Sequence, residues 1–574
     1  MKKESIILLP VMAMLLSACS LSFLNNLVNH NQESDFLESS SRRSSETSSD
    51  KSSSESSKTS SSSESSEELS SSSNSSSDTS SSDSSSSSES EIPPKPTGKV
   101  TFEVYSTNDI HGAVEEEYDR AGISKLATYL KDKGDKENVL LLDQGDTWQG
   151  SIYSNYNHGN MITDVMNYIH YDARSVGNHD FDWGLGALEA NSKRSYNGYS
   201  VPVLAGNVYD FNFATKEVGT EQMSNLGRKS VTYTLANGVK VGILGGIGED
   251  QITSITSTYT ETITFTSHVD FIKEEAQRLR NDESCDVVIA SIHTGQDEVL
   301  NTGVSNYVDL VLCGHTHRQE YTMENNVAFV QSYAYSKSVG HITLTYDFDQ
   351  GKVSKTSLDY ISASTIKSTV STIDSGVKSI VSSYNEDCTK AANEVVASNV
   401  SGNFYSSEEL PNLMCHAIYD ECVKEGQGDV LLTYTNVARA SLYNSSWTYA
   451  DLYQAFPFDN VIYIFNITGD ELLNEVGKYN YIYRNPSFTN NNIDPNGTYK
   501  IATIDYLYSH TNSSRYYDYF SKSAGTYITT LNDNYRIILK NWLIDNGYKS
   551  SAALVASDYS SSNWAHDRTA FVEQ

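Results

Sequence analysis

Five short segments carry residues that could bind metal: Asp109-x-His111 in STNDIHG, Asp146 in LLDQGDTWQG, Asn178-His179 in SVGNHDFDWG, His293 in VVIASIHTG and His315-x-His317 in LVLCGHTHRQ. Each follows a short apolar run of strand length. Mixed carboxylate, amide and imidazole donors suit Zn, Mn, Fe or Co better than Ca. There are enough of them for two adjacent divalent cations. A paired metal site with an open water position activates water and hydrolyses phosphate esters.

The elements that must hold these donors can be read from hydrophobic period. Side chains alternate along a strand, so Asp-x-His and His-x-His each send two donors to one side of a strand end. Asp146 leaves the buried run Leu140-Leu141-Leu142-Asp143 through a Gly-Asp turn. A carboxylate there could bridge two cations, with one oxygen for each. Strands are expected at 100–106, 139–142, 173–176, 201–205, 241–244, 287–291 and 310–312, and helices at 121–132 and 161–169. Residues 327–331 and 341–346 look like a late antiparallel pair. Alternating strands and helices, with reactive residues just after strands, imply a layered α/β domain whose site lies at the carboxyl ends of its strands.

Residues 364–397 place Ile366, Val370, Ile373, Val377, Ile380 and Val381 at helical spacing, as expected for one long helix joining two domains. The pattern then restarts, with helices expected at 413–423 and 534–546 and strands at 429–433, 461–467 and 498–505. No internal repeat is visible.

The whole chain narrows the class of protein. It has 574 residues and a net charge of -32, which argues against a broad basic surface for polymeric nucleic acid. Lys2 and Lys3 precede an apolar run too short for a comfortable membrane span. That run ends in Leu16-Ser17-Ala18-Cys19, which resembles a bacterial lipobox. The resemblance implies cleavage before Cys19 and a lipid on its sulfur, hence an extracellular protein anchored to the membrane. Residues 33–91 are mostly serine with scattered charge, too polar to repay the entropy of folding, and read as a tether. A flexible chain of this length has a root-mean-square span of about 40–50 Å. Cys285, Cys313, Cys388, Cys415 and Cys422 form no CxxC pair and are expected as buried thiols, with a disulfide among the last three left open.

Taken in order, the motifs DxH, GDxxxG, GNHD, H and GHxH resemble the calcineurin-like metallophosphoesterases. Residues 99–574 resemble, more narrowly, the bacterial 5′-nucleotidase family. The resemblance implies a four-layer α/β/β/α metallophosphoesterase domain at 98–363, a linker helix at 364–397 and a smaller α/β substrate-binding domain at 398–574, after a signal peptide at 1–19 and a tether at 20–97. It implies one metal on Asp109, His111, Asp146 and His317, and a second on Asp146, Asn178, His293 and His315. His179, oriented by Asp182, would stabilise the phosphoryl transition state and assist the leaving group. An imidazolium held by a carboxylate is chemically suited to that task.

In the substrate domain, Phe458 and Tyr506 stand where the family stacks a nucleobase, and Arg439 where it approaches the phosphate with a forked guanidinium. The chain departs from the family in two places. Residues 403–413 contain no arginine, and His510-Thr511-Asn512-Ser513-Ser514 replaces a glycine-rich loop. The expected activity is nucleotide phosphoester hydrolysis. The alternatives are a 2′,3′-cyclic-nucleotide phosphodiesterase, a UDP-sugar hydrolase, and a surface adhesin that kept the fold but lost turnover.

Overall fold

The computed structural model describes residues 96–571 apart from 213, 257–258, 477–480, 489–491 and 509–525. Cys19, the tether and residues 510–514 lie outside the described residues. Among the described residues, two six-stranded sheets dominate the first half. From edge to edge, one runs Lys352–Ser362, Ser338–Asp347, Lys99–Thr107, Val139–Asp143, Ala173–Ser175 and Val203–Leu204. The other runs Gln319–Glu324, Val327–Ser332, Leu310–Leu312, Val287–His293, Lys240–Ile247 and Ser230–Thr234.

The sheets face each other through Phe102, Val104, Leu140 and Leu142 on one side and Ile243, Ile289, Leu310 and Val330 on the other, all buried. Strand period explains the four layers. Along Val287–His293, Val287 and Ile289 point into the sandwich, while Val288 and Ala290 point outward to Phe271, Ile272 and Leu279 of helix His268–Asn281. The outer face of the first sheet is covered by helices Gly122–Gly134 and Asn160–Tyr168, through Ile123, Leu126, Leu130, Met161 and Val165. This is the expected α/β/β/α arrangement.

Two expectations need correction. The late strands do form, but they do not pair with each other. Val327–Ser332 lies parallel to Leu310–Leu312 and antiparallel to Gln319–Glu324 in the second sheet. Ser338–Asp347 joins Lys99–Thr107 and Lys352–Ser362 in the first. Tyr333, Tyr335 and Ser336 adopt positive φ between them, so the chain crosses from one sheet to the other rather than reversing as a hairpin.

The single linker helix is two helices, Ala363–Thr369 and Ser375–Ala392. Asp374 ends the continuity: its Oδ1 accepts from the backbone N–H groups of Gly376 (2.9 Å) and Val377 (3.1 Å), a fresh N-cap. The apolar spacing continues across the break because Val370 still packs on the first core. In the second helix, Val377, Ile380 and Val381 belong to the core of the first half, whereas Cys388 and Ala392 belong to the core of the second.

The second half is built on a five-stranded sheet in the order Tyr481–Arg484, Leu432–Thr435, Thr498–Ile504, Val461–Thr468 and Tyr527–Asn534. Helices Glu409–Lys424 and Tyr535–Asp545 pack with it in one apolar core that includes Leu413, Ile418, Leu539 and Leu543. All five cysteines named above are buried and free, including the three for which a disulfide was open.

Candidate metal centre

The donors meet because the chain turns sharply at each strand end. Asp109, His111, Asp146, His315 and His317 all have positive φ, between 48° and 74°. That conformation is uncommon for residues with a Cβ and concentrates at functional sites. Two glycines allow the turns to nest. A Cβ on Gly145 would lie 2.5 Å from the backbone N of Gly177, and one on Gly177 would lie 2.3 Å from Oδ1 of Asp146.

Two groups result. Asp109, His111 and His317 bring one donor atom each within 4.8 Å of one another, and so do Asp146, His293 and His315. In the first group, His111 Nε2 is 2.9 Å from His317 Nε2, and Asp109 Oδ1 is 3.4 Å from His317 Nε2. In the second, Asn178 Oδ1 lies 3.1 Å from both His293 Nε2 and His315 Nδ1. Asp146 Oδ2 stands between the groups, 3.6 Å from His111 Nε2 and 3.3 Å from His293 Nε2. Oδ2 faces both, because Oδ1 accepts the His179 backbone N–H at 2.7 Å.

The surrounding atoms fix which face of each donor is free. Nδ1 of His111 sits 3.0 Å from the Gln149 carbonyl, and Nδ1 of His293 sits 2.7 Å from the Gln144 carbonyl. A carbonyl only accepts, so both Nδ1 atoms carry a proton and both Nε2 atoms face inward. Asp109 Oδ2 accepts from Asn108 Nδ2 (2.6 Å) and His315 N (2.9 Å), which leaves Oδ1 facing the imidazoles.

Carboxylate oxygens and ring nitrogens thus converge at about hydrogen-bond distance, an arrangement that suits a cation. Burial would raise Asp109, but the hydrogen bond and charge of His317 outweigh it and hold the carboxyl at about 2. Burial would likewise raise Asp146, and His293 and His179 drive it well below the usual carboxylate range. Burial pushes His111 down to about 3 and, with the charge of His293, His315 down to about 4. The carboxylates and the His111 and His315 imidazoles are thus held in the forms that ligate metal, whereas Asp146 raises His293 to about 10, so a cation there takes the place of its proton. The residues present fit divalent cations of the nitrogen- and oxygen-binding kind.

Beside the donors, His179 Nδ1 is 2.8 Å from Asp182 Oδ2, with the two side chains 12% and 13% exposed. Burial would lower His179, but Asp182 and Asp146 outweigh it and raise it. The imidazolium is therefore favoured. From the second half of the chain, the Phe458 ring stacks on His179 at 5.4 Å between centroids and 26° between planes. The exposed Arg439 places its guanidinium carbon 5.7 Å from the Phe458 ring. Tyr506 lies in the short 3-10 turn Asp505–Leu507, partly buried against the second core.

Several residues around the site had no signal of their own in the sequence. Asp180 sews the GD loop to the GNHD turn: Oδ2 accepts from Gly177 N (2.9 Å) and Oδ1 from Thr147 N (3.3 Å). Arg174 backs it at 3.6 Å and lies 3.9 Å over the Trp148 ring, all of it buried. Asp180→Ala breaks a buried ion pair and the link between the two loops and is expected to cost about 3–5 kcal/mol. Denaturant unfolding reads this, and a cost below about 1 kcal/mol would show that Asp180 does not hold these loops together. Tyr335 completes one wall, with its ring centroid 5.2 Å from both His111 and His317.

Residues 102–319, which hold every donor named above, match the calcineurin-like phosphoesterase family. A snake venom 5′-nucleotidase from Naja atra is 30% identical over 296 residues, 45% of this chain and 53% of that protein. The chain spans about half the length of the curated relatives it matches first. A 5′-nucleotidase precursor from Thermus thermophilus shares the fold at a TM-score of 0.62 and 17% identity, covering 79% of this chain and 99% of that one. A sulfate thiohydrolase from the same organism does so at 0.56 and 14%, covering 81% and 96%. Residues 102–319 thus match the calcineurin-like phosphoesterase family, and the described chain shares its fold with solved 5′-nucleotidases.

Proposed function

We propose that the protein hydrolyses phosphate esters of nucleotides, with two divalent cations held by Asp109, His111, Asp146 and His317 and by Asp146, Asn178, His293 and His315. The observation that carries this reading is Asp146 Oδ2 lying between the two donor groups, next to the His179–Asp182 pair. Bound there, such a pair supplies charge neutralisation and a water ionisable near neutral pH. The chain's own residues do the rest. Asn108 and the His315 amide orient Asp109, the carbonyls of Gln144 and Gln149 orient His293 and His111, and His179 donates to charge developing on phosphoryl or leaving-group oxygen. Phe458, stacked on His179, and Arg439, over Phe458, would receive the organic part of the ester, with Tyr506 as the second stacking ring.

The substrate panel that tests this is AMP, UDP-glucose, 2′,3′-cyclic AMP and bis(p-nitrophenyl) phosphate, with phosphate or alcohol release measured before and after chelation. Release from AMP in the presence of Mn or Zn supports the reading. Failure on all four by metal-loaded protein sinks it in favour of a binding protein on the same fold. One observation favours the diester as a second reading. Tyr405, Ser406 and Ser407 occupy the stretch without arginine, so Arg439 acts without cationic help from that side, and a diester carries less charge.

Chelation is also expected to destabilise the fold. A ligand present at about a hundred times its dissociation constant stabilises by about 2.7 kcal/mol. Thermal unfolding should fall by several degrees on chelation and recover when Mn or Zn is restored. An unchanged melting temperature would count against resident metal. For location, we propose an extracellular enzyme tethered through a lipid on Cys19. Among the described residues no helix is long and apolar enough to cross a membrane. Cys19→Ser should then move the protein from the membrane fraction into the medium, and unchanged partitioning would exclude the anchor.

A further inference from the structure

One side chain touches both halves of the site. Asn155 is buried at 3% exposure in the short helix Ile152–Asn155. Its Oδ1 accepts from Gly150 N at 2.8 Å, and its Nδ2 donates to the Pro457 carbonyl at 2.9 Å. Gly150 follows Gln149, whose carbonyl orients His111. Pro457 precedes Phe458, whose ring lies on His179. The two neighbouring carbonyls, of Phe456 and Phe458, accept from Nη1 of the buried Arg536 at 2.8 and 2.6 Å. Arg536 also pairs with Asp459 and lies 3.5 Å over the Tyr453 ring. Three consecutive carbonyls are thus fixed by side chains, two from within the second half and the middle one from the metal-binding half.

We propose that Asn155 is a positioning residue for substrate specificity. It sets the Phe458 wall in register with the His111 loop and His179, so that an ester whose organic group reaches Phe458 is aligned with the groups that handle phosphorus. The inference rests on the hydrolase reading for its kinetic consequence but not for its binding consequence. Arg536 holds the turn within its own domain, while Asn155 joins its Pro457 carbonyl to the metal loop. A buried hydrogen bond lost on one side leaves the partner carbonyl unsatisfied, which is costly.

Asn155→Asp isolates the bond. The carboxylate still accepts from Gly150 N but has no hydrogen to give Pro457. Metal content by elemental analysis should stay as in the parent protein. Adenosine affinity by calorimetry should fall roughly tenfold, the size of one buried hydrogen bond. The ratio of AMP to methyl phosphate turnover (kcat/KM) should fall by a similar factor, mainly through KM. In a Phe458→Ala background, Asn155→Asp should change adenosine affinity no further, because the wall it positions is gone. Asn155→Ala removes both bonds without adding charge and is read in the same way, so poor folding of one variant leaves the other. Unchanged adenosine affinity in metal-loaded variant, an equal loss in the Phe458→Ala background, or parent protein that binds no adenosine overturns the proposal. Parent protein that binds adenosine but cleaves no ester overturns the hydrolase reading and leaves the role of Asn155 to the binding measurement.

Discussion

Asp146→Ala is expected to lose bound metal and, with it, turnover by about a thousandfold or more, since metal neutralisation of phosphoryl charge is worth several kcal/mol. No other donor does as much. Oδ2 faces His111 on one side and His293 on the other, and Oδ1 receives the amide of His179. Removing the carboxylate therefore opens both donor groups and releases the GNHD turn that carries His179. It also removes one of the two negative charges that make this buried space favourable to cations. Those charges outweigh burial and raise His293 to about 10, a measure of how strongly the space favours positive charge. Elemental analysis beside phosphate release decides the matter. A variant that keeps two metals per chain and turns over within tenfold of the parent would refute the shared role of Asp146.

His179→Ala is expected to behave in the opposite way toward metal. Its ring hydrogen bonds to Asp182, and its centroid is 5.4 Å from that of His111, outside both donor groups. Metal content should hold while turnover on a ribose ester falls by about 10²–10⁴, the usual contribution of a positioned acid. A p-nitrophenyl leaving group needs no proton to depart, so its hydrolysis should suffer much less. Equal losses on both leaving groups would assign His179 to phosphoryl charge rather than to the departing oxygen. Comparable turnover on the ribose ester would remove it from the chemistry. Asp182→Asn should show a weaker form of the same pattern, because an amide holds the ring but not its charge.

The donors were legible in the sequence because residue type and position relative to strands carried the signal. Asp109, His111, Asp146, Asn178, His293, His315 and His317 each stand where an apolar run stops, and the structure brings all of them together. What holds them in place was much less legible. The carbonyls of Gln144 and Gln149 belong to the backbone, and any residue would supply them. Positive φ at five donors follows from the tertiary fold and has no counterpart in side-chain type, except where Gly145 and Gly177 permit close approach. Residues 327–331 and 341–346 looked like partners because both have strand character, but alternation says nothing about which sheet a strand joins. The break before Asp374 did leave a trace, since Asp-Ser-Gly is a helix-start signal, yet the apolar spacing on either side concealed it.

Helix Ser375–Ala392 gives part of its length to each of two cores. No single cut in this stretch yields two sound fragments. Severing ahead of Ser375 strips the first half of Val377, Ile380 and Val381, while severing behind Ala392 deprives its neighbour of Cys388 and Ala392. Recombinant dissection of the protein needs this segment on both pieces.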